Sequence, residues 1–189
     1  MKELIGCADG VFLDSDMDKL YTCKVSVYGQ NARWVADAVR SDRLAFDFER
    51  ILPTPPGTDD FYVGDRLTVM GARGTYGGRN CYDWRVSHWG VPVNCTMCHC
   101  SKLEDGKAVY WFDTKASVPA RLLCELSRRY DVDVELVWAE RDDSELGIGD
   151  CGWMAWNCGK KDGDIYAKRH GDYDKWGQFV KMHLGVKEL

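Results

Sequence analysis

The residues best suited to chemistry lie in one short segment, residues 95–100, which reads Cys-Thr-Met-Cys-His-Cys. Thiolates and imidazoles are preferred zinc ligands, and a structural zinc ion usually takes four of them in a tetrahedron. Such sites commonly use two separated pairs of ligands, whereas this segment supplies one obvious pair. Zinc binding and unligated thiols in a loop or strand therefore both remain open. The candidate metal ligands are Cys95, Cys98, His99 and Cys100.

Catalysis by the same thiols is the weaker interpretation. A redox C-x-x-C motif usually lies at the start of a helix, which lowers the pKa of a thiol, and no helix start follows residue 98. Cys81 or His88, from the preceding segment, could instead complete a metal site. The histidines are scattered and match no known catalytic pattern. Because catalytic groups assemble in space rather than in sequence, a small Cys/His enzyme stays an alternative.

Acidic residues are concentrated after residue 130. Residues 131–150 carry many Asp and Glu side chains that are opposed only by Arg141. Such a surface could dock on the basic, nucleic-acid-binding groove of a host protein, because long-range attraction steers association. The candidate partner contacts are the acids Glu140, Asp142, Asp143 and Glu145 and the aromatic residues Trp84 and Trp89.

The last part of the chain, residues 160–187, is basic instead. Lysine and arginine contact phosphates, and aromatic rings stack on bases. A net charge of −5 weighs against a general nucleic-acid binder without excluding a local basic face. For both charged segments a solvated face remains the simpler explanation. The candidate nucleic-acid contacts are Lys160, Lys161, Lys168, Arg169, Tyr173 and Trp176.

Hydrophobic periodicity predicts the elements that must position these residues. Residues 21–27 alternate between apolar and polar side chains, which indicates a half-buried strand. Asn31 then caps a helix whose apolar residues recur at helical spacing. Val118 and Pro119 open a second helix, which reaches Tyr130. Further strands are predicted at residues 44–51, 82–88, 109–114 and 133–139.

The C-terminal part of the chain is predicted to add a hairpin and a helix. Residues 147–158 and 164–168 form the two strands of the hairpin, with a turn at residues 160–163 that ends in the strong turn signal Asp-Gly. Residues 173–184 place apolar side chains on one side of a final helix.

These elements predict an α+β fold. Two β-α-β units in one antiparallel sheet are typical of the ferredoxin-like arrangement, with helices on one face of the sheet. We therefore predict a single domain over residues 1–189, with its core at about residues 21–149. The C-terminal hairpin and helix, residues 150–189, are appended to that core.

Composition places the chain among ordinary globular proteins. With 45% hydrophobic residues, its 189 residues can bury one core. No apolar run approaches the roughly 20 residues of a membrane-spanning helix, and residues 1–5 lack the apolar stretch of a signal peptide. The expected location is therefore the cytoplasm. Nine cysteines, an odd number without an export signal, favour reduced thiols or metal ligands over a disulfide scaffold.

Three stretches of the chain are similar to a known family. The first is Cys-Lys-Val-Ser-Val-Tyr-Gly at residues 23–29, leading to Phe-Asp-Phe-Glu-Arg-Ile-Leu-Pro at residues 46–53. The second is Tyr-Asp-Trp-Arg-Val-Ser-His-Trp-Gly at residues 82–90. The third is Phe-Asp-Thr-Lys-Ala-Ser-Val-Pro at residues 112–119, then the helix that ends Leu-Ser-Arg-Arg-Tyr at residues 126–130. Together they resemble the YubB-like ferredoxin-fold family, which occurs on phages and plasmids and is mostly of unknown function.

The resemblance implies a mobile-element origin and brings no catalytic residue with it. Genes of this kind often act in host takeover or against host defence, including the inhibition of CRISPR systems. We therefore predict a non-enzymatic phage or plasmid accessory protein that binds a host protein as an anti-defence, anti-CRISPR-like inhibitor. Two alternatives remain: a single-stranded nucleic-acid-binding module, since ferredoxin-like sheets can present aromatic residues to single strands, and the small Cys/His enzyme. We expect no cofactor other than the zinc considered above and no membrane partner.

Overall fold

Six strands form one antiparallel sheet in the computed structural model, which describes residues 18–56, 62–63, 66–67, 81–141, 148–157 and 166–169. The strands are β1 (Leu20–Tyr28), β2 (Tyr62–Val63), β3 (Arg66–Leu67), β4 (Thr96–Glu104), β5 (Lys107–Lys115), β6 (Asp133–Arg141), β7 (Ile148–Trp156) and β8 (Tyr166–Arg169). The helices are α1 (Ala32–Val39), α2 (Phe48–Ile51), α3 (Cys81–Trp89) and α4 (Ala120–Tyr130). The sheet order is β4-β5-β1-β6-β7-β8, and β2 pairs separately with β3.

Strand β1 lies at the centre of the hydrophobic core. Tyr21, Cys23 and Val25 are buried on one of its faces, as the alternation of residues 21–27 predicts. Cys23 pairs with Phe112 of β5 on one side and with Trp138 of β6 on the other. Because directly paired residues share a face, the three strands present one continuous apolar surface.

The helices pack on that surface. Val35 of α1 and Leu122 of α4 are fully buried in the same core as Val25, and Phe48 of α2 and Trp89 of α3 join them. The two helices predicted from periodicity are therefore confirmed. Within the described ranges, the opposite face of the sheet carries no helix, and we call it the open face.

The predicted strand at residues 44–51 is wrong. The alternating Phe46 and Phe48 are both fully buried, as a strand would allow, but the chain between them turns. Asp47 accepts a hydrogen bond from the backbone N–H of Glu49 at 3.0 Å and caps the short helix α2. The N-cap hydrogen bond of Asp47 thus favours a helix here, although the alternation of Phe46 and Phe48 fits a strand.

The predicted strand at residues 82–88 is also wrong, because these residues lie within helix α3. Its buried residues Tyr82, Val86 and Trp89 recur at the spacing of one helical face. Trp84 and His88, one turn apart, stack with their ring centroids 4.3 Å from each other. Residues 82–88 therefore fit both the two-residue period of a strand and the 3.6-residue period of a helix. Packing against the other elements stabilises the helix.

The predicted strands at residues 109–114 and 133–139 are confirmed as β5 and β6. Strand β7 pairs with β8 in the antiparallel manner expected for the C-terminal hairpin. The turn at residues 160–163 and the predicted helix at residues 173–184 lie outside the described residues. Among the helices that the structure describes, none combines the length and apolar character needed to cross a membrane.

Candidate functional site

The four candidate metal ligands do not all lie on one side of the sheet. His99 pairs with Trp111 and Cys100 pairs with Tyr110, so these two neighbours lie on opposite faces of the sheet. Cys95, just before β4, is buried, and Cys98 is half-buried. Across the described ranges, no group of three or more His, Cys, Asp or Glu side chains could hold a metal ion. The register of β4 therefore separates His99 from Cys100 among the four candidate ligands.

The structure describes three of the six predicted protein-binding residues. Glu140 of β6 forms an ion pair with Lys19 at 3.4 Å, and only 14% of its side chain is exposed. Trp84 is half-buried. Trp89 corrects the prediction, because its side chain is fully buried and its indole N–H donates to the carbonyl of Leu52 at 2.9 Å. It stabilises the core and is not available to a partner. Asp142, Asp143 and Glu145 lie outside the described residues.

Two of the predicted nucleic-acid contacts belong to the sheet. Lys168 of β8 pairs with Trp153 of β7, and Arg169 pairs with Gly152. In this register, Lys168 is the cross-strand partner of an aromatic residue of β7. The remaining candidates, Lys160, Lys161, Tyr173 and Trp176, lie outside the described residues.

Strand register assembles a row of residues straight across the open face. Lys24 of β1 pairs with Trp111 of β5 and with Val137 of β6, and Val137 pairs with Trp153 of β7. The pairs His99–Trp111 and Trp153–Lys168 extend the row to both edges of the sheet. We call this set the Trp row: His99, Trp111, Lys24, Val137, Trp153 and Lys168. Trp111 and Trp153 are three strand spacings apart, or about 14 Å.

Lysine side chains lie over the aromatic rings of this face. The ammonium group of Lys24 is 5.3 Å from the ring centre of Trp111, and that of Lys107 is 4.8 Å from the ring centre of Tyr28. Cation–π contacts at such distances contribute about 0.5–1 kcal/mol each at exposed sites. Each of these two rings therefore already has an ammonium group within contact distance. A ligand with both aromatic and anionic parts would find both kinds of partner at one place.

The polar atoms of the aromatic side chains on the open face form hydrogen bonds with neighbouring side chains of the sheet. Glu135 accepts the hydroxyl of Tyr28 at 3.0 Å and the indole N–H of Trp153 at 2.6 Å. The indole N–H of Trp111 donates to the hydroxyl of Ser101 at 3.1 Å. Because their polar atoms are already paired, the three aromatic residues have fixed orientations, and a ligand would meet them mainly through the ring surfaces.

A solvent-open depression of about 490 Å³ lies over this part of the sheet. Its lining includes Lys24, Lys102 and Lys107, and Glu135 is the one acid among its described lining residues. Glu135 is engaged with two aromatic donors. The depression therefore combines an excess of positive charge with the rings of Tyr28 and Trp111, although the whole chain has a net charge of −5.

Comparison with protein-family models, with curated proteins and with solved structures finds no match to this chain. The resemblance to the YubB-like family stays a prediction.

The residues of this face carry no joint signal in the sequence, for a specific reason. Tyr28, Trp111 and Trp153 are separated by many residues in the chain and match no motif. A signal existed for Trp111, which shares its side of the β5 alternation with Lys107 and Asp113. Trp153 carries no such signal, since its side of β7 holds Cys151 and Ala155. Aromatic residues at positions that a sheet leaves uncovered are typical of binding surfaces.

Proposed function

We propose that this chain is a non-enzymatic binding module whose open sheet face takes a single-stranded nucleic acid. The Trp row carries the proposal, because it places two tryptophans and the cation of Lys24 in one line across the sheet. Single-stranded nucleic acids bind to such surfaces by stacking of bases on aromatic rings and by contact of phosphates with Lys or Arg. A duplex would not expose its bases to the rings, so the proposal is specific to single strands.

The arrangement of the core supports the same proposal. Strands β4-β5-β1-β6 follow the order of a ferredoxin-like sheet, with helices between β1 and β4 and again between β5 and β6. We propose that these four strands are a ferredoxin-like core to which β7 and β8 are added. In RNA-binding modules with a four-stranded sheet, the bases stack on aromatic residues of that sheet. Here the added strand β7 extends the aromatic surface through Trp153.

The test is a titration of the full chain with labelled single-stranded DNA and RNA of about ten nucleotides, a length within the usual site sizes. Fluorescence anisotropy at low ionic strength gives Kd for the wild type and for Trp111→Ala and Trp153→Ala. The matched control is Trp34→Ala, since Trp34 is the most exposed tryptophan of the described helices and lies in α1, on the helical side of the sheet.

We expect each substitution in the Trp row to weaken binding by roughly 5- to 150-fold, because one base–aromatic stack is worth about 1–3 kcal/mol. Trp34→Ala should bind like the wild type. An absence of binding by the wild type to either single strand would overturn the proposal. Equal effects of Trp34→Ala and Trp111→Ala would also contradict it, since they would indicate a non-specific change.

The second candidate function is the one that the family resemblance implies, an inhibitor that binds a host defence protein. Its support is the acidic segment at residues 131–150, which includes the candidate contacts Glu140, Asp142, Asp143 and Glu145. Because Glu140 is paired with Lys19 and largely buried, most of the attraction would have to come from Asp142, Asp143 and Glu145. Charge reversal at these three residues should weaken capture of the partner from a nuclease-treated lysate of the bacterial host. The same variants should leave binding of single strands unchanged, which separates the two functions.

A further inference from the structure

Two thiols of the C-x-x-C segment converge on one backbone carbonyl. The Cys95 thiol donates to the carbonyl oxygen of Phe46 at 2.9 Å, and the Cys98 thiol lies 3.9 Å from the same oxygen. Side chains three residues apart in a regular strand point to opposite faces. A local irregularity must therefore bring these two together.

That irregularity is a β-bulge centred on Met97. Thr96 pairs with Asp113 and His99 with Trp111, so three steps along β4 match two steps along β5. Met97 has a left-handed backbone, with φ of 51°, and 80% of its surface is exposed. The extra residue reverses the alternation of side chains and returns Cys98 to the side of Cys95. A non-glycine residue in this conformation is uncommon, and such residues cluster at functional sites.

The two thiols differ in access. Cys95 is buried, while Cys98 is half-buried at the edge strand of the sheet. An accessible thiol beside a buried partner is the arrangement in which one cysteine attacks and the other resolves.

We propose that Cys95 and Cys98 are a thiol-modification site that small-molecule disulfides, such as oxidised glutathione, convert reversibly to an intramolecular disulfide. The Cys98 thiolate attacks one sulfur of the small disulfide, whose S–S bond breaks and releases one thiol. Cys95 then loses its proton and attacks the Cys98 sulfur, which releases the second thiol. Two protein thiols are oxidised by two electrons, one small disulfide is reduced, and the two thiol protons end on the two released thiols.

The experiment uses the reduced full chain, equilibrated with glutathione redox buffers, quenched by alkylation, digested and analysed by mass spectrometry. We expect a Cys95–Cys98 disulfide in the wild type that disappears when the reducing agent is restored. In Cys95→Ser, a mixed disulfide with glutathione should accumulate at Cys98. Cys100→Ser is the matched control, because Cys100 is exposed and lies two residues further along the same strand; it should leave the Cys95–Cys98 disulfide unchanged.

A second measurement needs no variant and therefore does not depend on whether Cys95→Ser folds. Phenylarsine oxide, which binds two neighbouring thiols at once, is added to the native wild type, and the modified cysteines are located by mass spectrometry. Protection of Cys95 and Cys98 together supports the proposal. It is overturned if oxidation yields only separate glutathione adducts, or if the arsenical leaves both cysteines open to alkylation.

Discussion

Gly152 of β7 lies against the indole of Trp138, its register partner on β6, so closely that a side chain cannot be added without movement. A Cβ atom at position 152 would lie 2.6 Å from Cζ2 and 2.8 Å from Cε2 of Trp138. The indole has little room to move, because it is almost fully buried and packs edge-on against Tyr21 with ring centroids 5.7 Å apart. Gly152→Ala is therefore a test of the packing that holds β7, and with it Trp153, in register.

The expected magnitude follows from two opposed effects. Overpacking of a core costs about 1–3 kcal/mol. The loss of chain entropy in the unfolded state that accompanies a change from Gly to Ala offsets about 0.4–1 kcal/mol of this cost. We expect Gly152→Ala to lower the free energy of unfolding by about 1–2 kcal/mol and Tm by roughly 2–8 °C for a chain of this length.

A double-mutant cycle with Trp138→Phe isolates the contact. Phenylalanine lacks the indole atoms that the new Cβ would meet, and it removes an indole N–H that has no hydrogen-bond partner among the described residues. In that background Gly152→Ala should be neutral or slightly stabilising. Urea unfolding of the four proteins, followed by circular dichroism, should therefore give a coupling free energy of about 1–2 kcal/mol. An equal cost of Gly152→Ala in both backgrounds would refute the reasoning.

Three further predictions concern the charge, the acidity and the capping of named residues. We expect Lys24→Gln and Lys107→Gln each to weaken binding of single strands, because each removes one phosphate contact. The slope of log Kd against log salt concentration should fall by about 1 in each variant. Unchanged slopes would show that these lysines do not contact phosphate. Burial raises the pKa of the Cys23 thiol from 9.0 to about 12, so its stabilising effect is complete below pH 9 and is lost as the pH rises toward 12. Between pH 9 and pH 12, the free energy of unfolding of the wild type should fall relative to that of Cys23→Ala by at most about 1.4 kcal/mol per pH unit. Parallel plots of unfolding free energy against pH for the two proteins would contradict this. Asp47→Ala should cost at least about 1 kcal/mol, because it removes the α2 cap and the hydrogen bond that Asp47 accepts from the Asn94 amide. The measurement is urea unfolding against the exposed control Asp42→Ala, and equal costs would show that the Asp47 carboxylate is not stabilising.

The strand alternation of β1, β5 and β6 and the helical spacing of α1 and α4 were readable in the sequence, since a half-buried strand or helix repeats its apolar residues along the chain itself. The pairing of β7 with β8 was readable from a different signal, the Asp-Gly turn sequence between the two segments. The segments at residues 44–51 and 82–88 could not be assigned from their pattern, because each fits two periods over a short length. Asp47 decided the first by capping α2, and the burial of Tyr82, Val86 and Trp89 on one side decided the second.

The sequence by itself determined that an α+β fold with a buried apolar sheet face would form, because that face repeats along the chain. Only the tertiary structure decided which residues share the opposite face. Trp111, Lys24 and Trp153 become neighbours through strand register, which joins positions distant in the chain and leaves no local pattern. In the same way, the bulge at Met97 brings Cys95 and Cys98 to one side and sends His99 to the other. A cluster of residue types in sequence predicts a site only when the backbone between them directs their side chains to one place.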